Sequence, residues 1–379
     1  MPSTLLRLAA AGVVVAASAV TTAAGAVDAQ RIARLLTGAV AATGQAKLTY
    51  GSASAEGDDV VLDVITLVMP TKEAAVTVPR IVISGAVERD GGGFTAERIT
   101  FDGGTASSPA GTVRWGAAAM LDAVVPSVDE AAARSRLRPF RKLTLGELVI
   151  SDPEVAEPIA VAALDVEIGE LAEDGPSDIL LRATGTRLPT SFITNPIAAA
   201  VIDRLGYSEI AADITVDGNY DVAADTVTVH TLTIDAAEIG TIAVAAKLSG
   251  LSFRALSDPE ESAAARAAAR LDSMTVRFDD GGFVKRMLDM QAGMLGGTPE
   301  DVRDQLVYGA LPFALSFVDD EGFRDSFLAA AEVFLQDPRS LTITAAPSAP
   351  VPLGQVMRTA LRTPLALPDL LTPDVVANH

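Results

Sequence analysis

Phe278-Asp279-Asp280-Gly281-Gly282-Phe283 is followed by an apolar stripe at Met287, Leu288, Met294 and Leu295, and Val318-Asp319-Asp320-Glu321-Gly322-Phe323 is followed by Phe327, Leu328, Phe334 and Leu335. Each member of the second set stands 40 residues after its counterpart, 318 against 278 and 334 against 294. Repetition at a fixed offset is the trace of a duplicated supersecondary unit, and the residue types spell strand, acidic turn and amphipathic helix in both copies. A chain organised around such a unit is α+β, and two copies are too few for a solenoid. The helices opened by Phe283 and Phe323 carry equivalent stripes, so the expectation is a side-by-side, pseudo-symmetric pair. Phe283, Met287, Met294, Phe323, Phe327 and Phe334 are then the candidate lining of a groove for an apolar ligand, because methionine and aromatic surface adapts to irregular apolar shapes. Ordinary core packing is the alternative use of the same side chains.

N-terminal to this unit, from Lys47 to Ser252, strand signals dominate. Asp59–Val68, Ala75–Ser84, Phe94–Asp102, Lys142–Ser151 and Ile159–Ile168 are short, rich in β-branched residues and often alternating, with turn chemistry such as Asp90-Gly91-Gly92-Gly93 between them. Three more strands are expected at Ile210–Val216, Val222–Leu232 and Ile242–Leu251. Their succession predicts a long, curved, mostly antiparallel sheet. Helical insertions are expected at Val27–Gln45, at Trp115–Leu137 with a break at Pro126, and at Ser191–Leu205. Ser257-Asp258-Pro259-Glu260 has capping-box spacing and opens a further helix through Leu271. After Ala345 the prolines crowd together, which predicts a tail crossing the surface around a short helix at Val356–Leu361. The domain reading is a β-rich part over 27–254, the duplicated unit over 255–345 packed on the sheet, and the proline-rich tail over 346–379.

The first 26 residues have the three parts of a secretory signal: a cation at Arg7, an apolar run from Leu8 to Val20, and the small-residue site Ala24-Gly25-Ala26. Cleavage there leaves a periplasmic chain with no membrane span; a retained inner-membrane anchor is the alternative, disfavoured by the weak hydrophobicity of an Ala-, Gly- and Thr-rich run. There is no cysteine, so disulfides, thiolate metal ligands and thiol nucleophiles are excluded. With 29 basic against 49 acidic side chains, the chain as a whole is repelled by phosphate backbones and anionic head groups, which argues against nucleic acid as a partner.

No catalytic constellation and no cofactor motif emerges. The acidic turns at Asp279-Asp280 and Asp319-Asp320-Glu321 invite a calcium or carboxylate-pair reading, but each stands where a helix begins, and capping is the expected role. Asp217-Gly218-Asn219-Tyr220-Asp221 resembles the opening of a calcium loop, yet the sixth and twelfth positions are Val222 and Thr228 rather than Gly and Glu. A hairpin turn between strands ending at Val216 and starting at Val222 is expected there instead. His230 falls where the buried face changes from Val227 and Val229 to Leu232 and Ile234, which predicts a hydrogen-bonded histidine at a bulge.

The Tyr50-Gly51 strand after an exported N-terminal helix, the curved-sheet meander, and the run from Phe334 to Ile343 leading into Pro350-Val351-Pro352-Leu353 together resemble uncharacterised exported proteobacterial envelope proteins, similar to the AsmA and TamB class. That resemblance implies an open, curled sheet engaged with lipid, although the class is anchored in the inner membrane. The function expected from these readings is binding or carriage of a lipid-like ligand in the periplasm. A non-catalytic structural component with an envelope protein partner is the alternative.

Overall fold

The strand signals translate into strands with little displacement. In the computed structural model, which describes residues 28–69, 73–133, 137–171, 176–193, 195–251 and 269–379, the protein is mixed α+β, with helices accompanying an antiparallel sheet of nineteen strands. The expected signal segment and the Ser257 capping box lie outside the described residues, as does the expected boundary after 254. Arg270 and Leu271, expected at the end of a helix, instead open a strand. Contacts divide the chain into two units, Met1–Leu171 with Leu180–Phe192, and Ala172–Ile179 with Ile193–His379.

The first unit is a meander of β1 (Lys47–Thr49), β2 (Ser52–Glu56), β3 (Asp59–Met69), β4 (Ala74–Ser84), β5 (Val87–Glu88), β6 (Phe94–Phe101), β7 (Gly104–Ser108), β8 (Gly111–Trp115), β9 (Ala117–Val125), β10 (Lys142–Ser151) and β11 (Ile159–Ile168). β1 and β2 both pair with β3, β3 with β4, and β4 with β6 and β7; β6 pairs with β9, β7 with β8, and β10 takes β8 and β9 on one side and β11 on the other. Helix α1 (Ala29–Ala42) begins at Asp28, whose carboxylate accepts the Arg31 N–H at 3.0 Å. Its Ile32, Ala33 and Ala39 are buried with Val60, Leu62, Ile83, Phe94 and Val125 in one core. Burying the Ile, Val, Leu and Phe side chains among them stabilises the unit by roughly 1.5–3 kcal/mol each.

Trp115–Leu137 is a correction. Where a helix was expected, the chain completes β8 and forms β9, and among the described residues of this stretch only α2 (Val128–Ala132), after Pro126, is helical. Ala117-Ala118-Ala119-Met120-Leu121 has helical propensity, but β9 has β6 on one side and β10 on the other, and two full ladders outweigh a local preference of a few tenths of a kcal/mol per residue.

A row of irregular residues crosses the strands of this unit. Asp63 faces Arg80 and Ile65 faces Val78, so Val64 between them faces Pro79. Continuing each ladder through its gap brings Gly51 opposite Val64, Pro79 opposite Gly103, Gly103 opposite Gly116, Gly116 opposite Glu147, and Glu147 opposite Ala162. Val64 and Glu147 adopt positive φ, 55° and 54°, as does Gly103 at 68°. The backbones close up along the row: a Cβ on Gly103 would stand 3.1 Å from the Gly116 carbonyl, and one on Gly116 3.2 Å from the Glu147 Cβ. A left-handed residue inside a strand bends it and rotates the residues beyond it to the other face. The core records that rotation, because Val60 and Leu62 before Val64 and Ile65 after it belong to the same cluster, as do Ile83 and Ile81 on one side of Pro79 and Val78 on the other.

In the second unit, β13 (Glu209–Asp221), β14 (Thr226–Ala236), β15 (Gly240–Ser249) and β16 (Arg270–Asp280) pair in order. β17 (Ser340–Ala345) and β18 (Val351–Pro352) both join β16, and β19 (Pro373–Ala377) joins β17. β12 (Pro176–Pro189) is divided between the units, its residues from Leu180 onward belonging to the first. The helices are α3 (Pro196–Arg204), α4 (Phe283–Leu295), α5 (Pro299–Gln305), α6 (Leu311–Leu315), α7 (Glu321–Gln336), α8 (Leu353–Arg362) and α9 (Leu367–Leu371), with a π-helical segment at Leu306–Ala310 between α5 and α6.

Three expectations are revised here. Asp217-Gly218-Asn219 is not a turn: β13 runs through it, the register shifts between Asp217 and Gly218, and the chain reverses at Val222–Asp225. The second copy of the duplicated unit has no strand before its acidic turn. Pro299 at the start of α5 and the capping box between Thr298 and Asp301 nucleate helical structure that continues to Leu315, leaving Val318 as a buried anchor in the following turn. The proline-rich tail does more than cross the surface, because it supplies α8 and two sheet strands. Its prolines sit where a missing N–H is tolerated, Pro352 just before α8 and Pro373 at the first position of the added strand β19.

Candidate functional site

The acidic turns are used as caps. Asp320 accepts the Phe323 N–H at 2.9 Å, and Asp280 accepts the N–H groups of Gly282 and Val284 at 2.9 and 3.0 Å. Asp279 pairs with Arg277 at 2.6 Å. Among the described residues, no group of three His, Asp or Glu side chains is placed to hold a metal ion. His230 stands within the register shift between Val229 and Leu232, its Nε2 2.8 Å from the Asn219 amide, which is the bulge histidine expected from the change of face.

The six Phe and Met candidates do not form one lining. Phe334 is buried and packs edge-on against Phe278 at 6.3 Å, while Phe323 and Phe327, both half-buried, meet at a tilt of 45° with centroids 5.6 Å apart. Phe283 and Met287 are half-buried, and Met294 is 56% exposed at the end of α4. The two helices have different main neighbours, α5 for α4 and β19 for α7, so the expected side-by-side pair is not the dominant packing. They nevertheless feed one core, in which Val284, Leu288 and Ala292 of α4 meet Ala330 and Phe334 of α7 together with Val375 and Ala377. Beside it lies a shallow hollow of about 270 Å³ between Ala329, Val333 and Val376.

A larger hollow, about 530 Å³, lies in the first unit, where no candidate residue had been placed. Its floor follows from the register. Thr100 faces Ala119, Ala119 faces Thr144 and Thr144 faces Asp165; two positions along, Ala117 faces Gly146 and Gly146 faces Ala163. Residues two apart on a strand share a face, so both rows present their side chains to the same side. Those side chains are so small that nothing fills the space above the strands. Asp102 and Asp165 stand at the margins. Lys142 reaches Asp165 at 3.5 Å and Glu167 at 3.0 Å, and the hydrogen bond it donates to the Glu167 carboxylate raises the Lys142 ammonium above its usual value. The trough runs alongside the irregular row, since Ala117, Gly146 and Ala163 adjoin Gly116, Glu147 and Ala162. The residue types alone gave no sign of it: Ala, Gly and Thr become a site only once the register aligns them.

A protein-family model described as "Uncharacterized protein" matches residues 233–378, from within β14 to the residue after β19. No curated protein matches the chain. Among the described residues, no helix is long and apolar enough to cross a membrane.

Proposed function

We propose that the protein is an exported, non-catalytic binding module of the cell envelope that holds an apolar, lipid-like chain in the trough of the first unit. The observation that carries this reading is the pair of small-residue rows, Thr100-Ala119-Thr144 and Ala117-Gly146-Ala163, over a hollow whose volume falls in the range of small-molecule sites, roughly 300–1,000 Å³. A slender alkyl chain suits a floor without protruding side chains, and the hydroxyl and carboxylate groups at its margins suit a polar end. The resemblance to the AsmA and TamB class supports the same ligand chemistry, and the signal-like N-terminus supports the periplasmic address.

Ala119→Trp tests the reading by filling the trough. The expected outcome is loss of binding of a fluorescent fatty acid with an unchanged circular dichroism spectrum; unchanged binding sinks the proposal. A second reading places the ligand against Phe323 and Phe327, favoured by their incomplete burial and by the exposure of Met294. It predicts that Phe327→Ala, and not Ala119→Trp, removes binding. Native mass spectrometry of protein taken from its own periplasm separates either carrier from a purely structural envelope component, because only a carrier retains lipid-sized mass.

A further inference from the structure

Large apolar side chains left in solvent are unevenly distributed. Among the described residues, every strongly exposed Phe, Tyr, Met and Leu lies between Met294 and Leu365, within the second unit. Two groups stand out. Phe313 and Phe317, in the middle of α6 and just after it, are 70% and 62% exposed, and their rings meet edge to face at 5.5 Å, so the pair is preformed without being covered. On α8, Val356 turns inward to the cluster of Leu271, Val351 and Leu371, while Met357 and Leu361 stay 54% and 80% exposed. The Asp320 N–H donates to the Asp369 carboxylate at 3.2 Å, which ties the turn after Phe317 to the segment after Leu365.

Charge distinguishes this region from the rest of the chain. From Pro338 to Pro368 there is no Asp or Glu, while Arg358 and Arg362 stand one turn apart on α8 beside Met357 and Leu361. An amphipathic helix with arginines flanking an uncovered apolar edge has the composition of helices that lie in a lipid head-group layer, cations on phosphates and aliphatic side chains in the acyl boundary. The net negative charge of the chain opposes approach at long range, but salt screens that field beyond roughly 8–10 Å, so the local arginines decide contact.

We propose that α8, together with the Phe313/Phe317 pair, forms a peripheral docking surface for an anionic phospholipid bilayer. Arg358 and Arg362 engage lipid phosphates, and Met357 and Leu361 enter the acyl boundary. This surface is separate from the trough and stands or falls without it.

The absence of cysteine makes the test direct. Leu361→Cys in the full chain, labelled with an environment-sensitive fluorophore, is compared with a label at Val87→Cys, a surface position of the first unit that is 37% exposed. On vesicles containing phosphatidylglycerol, a blue shift is expected at position 361 and not at 87, with little response to phosphatidylcholine alone. Adding Arg358→Gln and Arg362→Gln is expected to weaken vesicle binding about thirtyfold. No shift at 361 on anionic vesicles, equal shifts at both positions, or a response indifferent to the arginine substitutions overturns the proposal. A shift that appears without vesicles as protein concentration rises also overturns it and assigns the surface to a second copy of the chain.

Discussion

The two units are both antiparallel meanders whose strands must bend, and they bend in different ways. The first keeps its register and spends a backbone conformation: Val64 and Glu147 go left-handed, glycines face them, and the ladder resumes with the same pairing. The second keeps ordinary conformations at the corresponding irregularities and gives up register, which shifts at Asp217/Gly218, Val229/Leu232 and Lys247/Leu248. The difference extends to the cores. Around Phe94 the first unit is sealed, whereas Phe323 and Phe327 in the second remain half-open. A bend without slippage aligns small residues into continuous rows; a bend with slippage staggers them. The first arrangement is the one that underlies the 530 Å³ trough.

The strongest test of this contrast is a pair of truncations. Phe94→Ala should cost about 4 kcal/mol in urea unfolding and Phe327→Ala about half as much. Equal losses would mean that the second core is as closed as the first. Next comes the fork between Arg89 and Glu130, at 2.8 and 2.9 Å, which pins α2 to the first unit. Arg89 holds the Glu130 carboxyl below its usual range, so its stabilising contribution is present above the unfolded pKa and is lost as pH falls through the lower folded value. Glu130→Gln should remove about 2 kcal/mol at neutral pH and flatten the acid side of the stability profile, leaving the two proteins closer at pH 3 than at pH 7. A constant difference across that range would break the assignment.

Smaller effects probe the bends and caps themselves. Gly103→Ala forces a Cβ into a left-handed conformation beside the Gly116 carbonyl and should cost about 1–2 kcal/mol, while Val64→Asn should gain up to about 1 kcal/mol because Asn tolerates that conformation better than Val. If both are neutral in thermal melts, the row is not held in the conformation described. Asp320→Ala should cost about 1 kcal/mol and Asp320→Asn almost nothing, since Asn caps as well as Asp. Equal damage from Asn would show that charge rather than capping is required.

Much of the fold was legible in the sequence. Lys142–Ser151 and Ile159–Ile168 stand as read, three other strands agree within one residue at each end, and His230 marks its bulge. What escaped was set by partners distant in sequence. β9 is alanine-rich and becomes a strand only because β6 and β10 enclose it. The second acidic turn repeats the letters of the first, but a helix nucleated at Pro299 takes the place of the strand before it. The trough was illegible for a related reason: Ala117, Gly146 and Ala163 are unremarkable singly and meet only across ladders. A signal was nonetheless present in Gly51, Pro79, Gly103 and Gly116, each a residue that weakens a strand: Pro79 lies within β4, and the three glycines fall at the breaks between β1 and β2, β6 and β7, and β8 and β9.

The row through Val64, Gly103 and Glu147 also sets where the trough can lie. Because each ladder resumes beyond the row with the pairing it had before it, Ala117, Gly146 and Ala163 stay abreast of one another one residue away from it. The row is thus a crease ruled across the strands, and the trough is laid out along its edge.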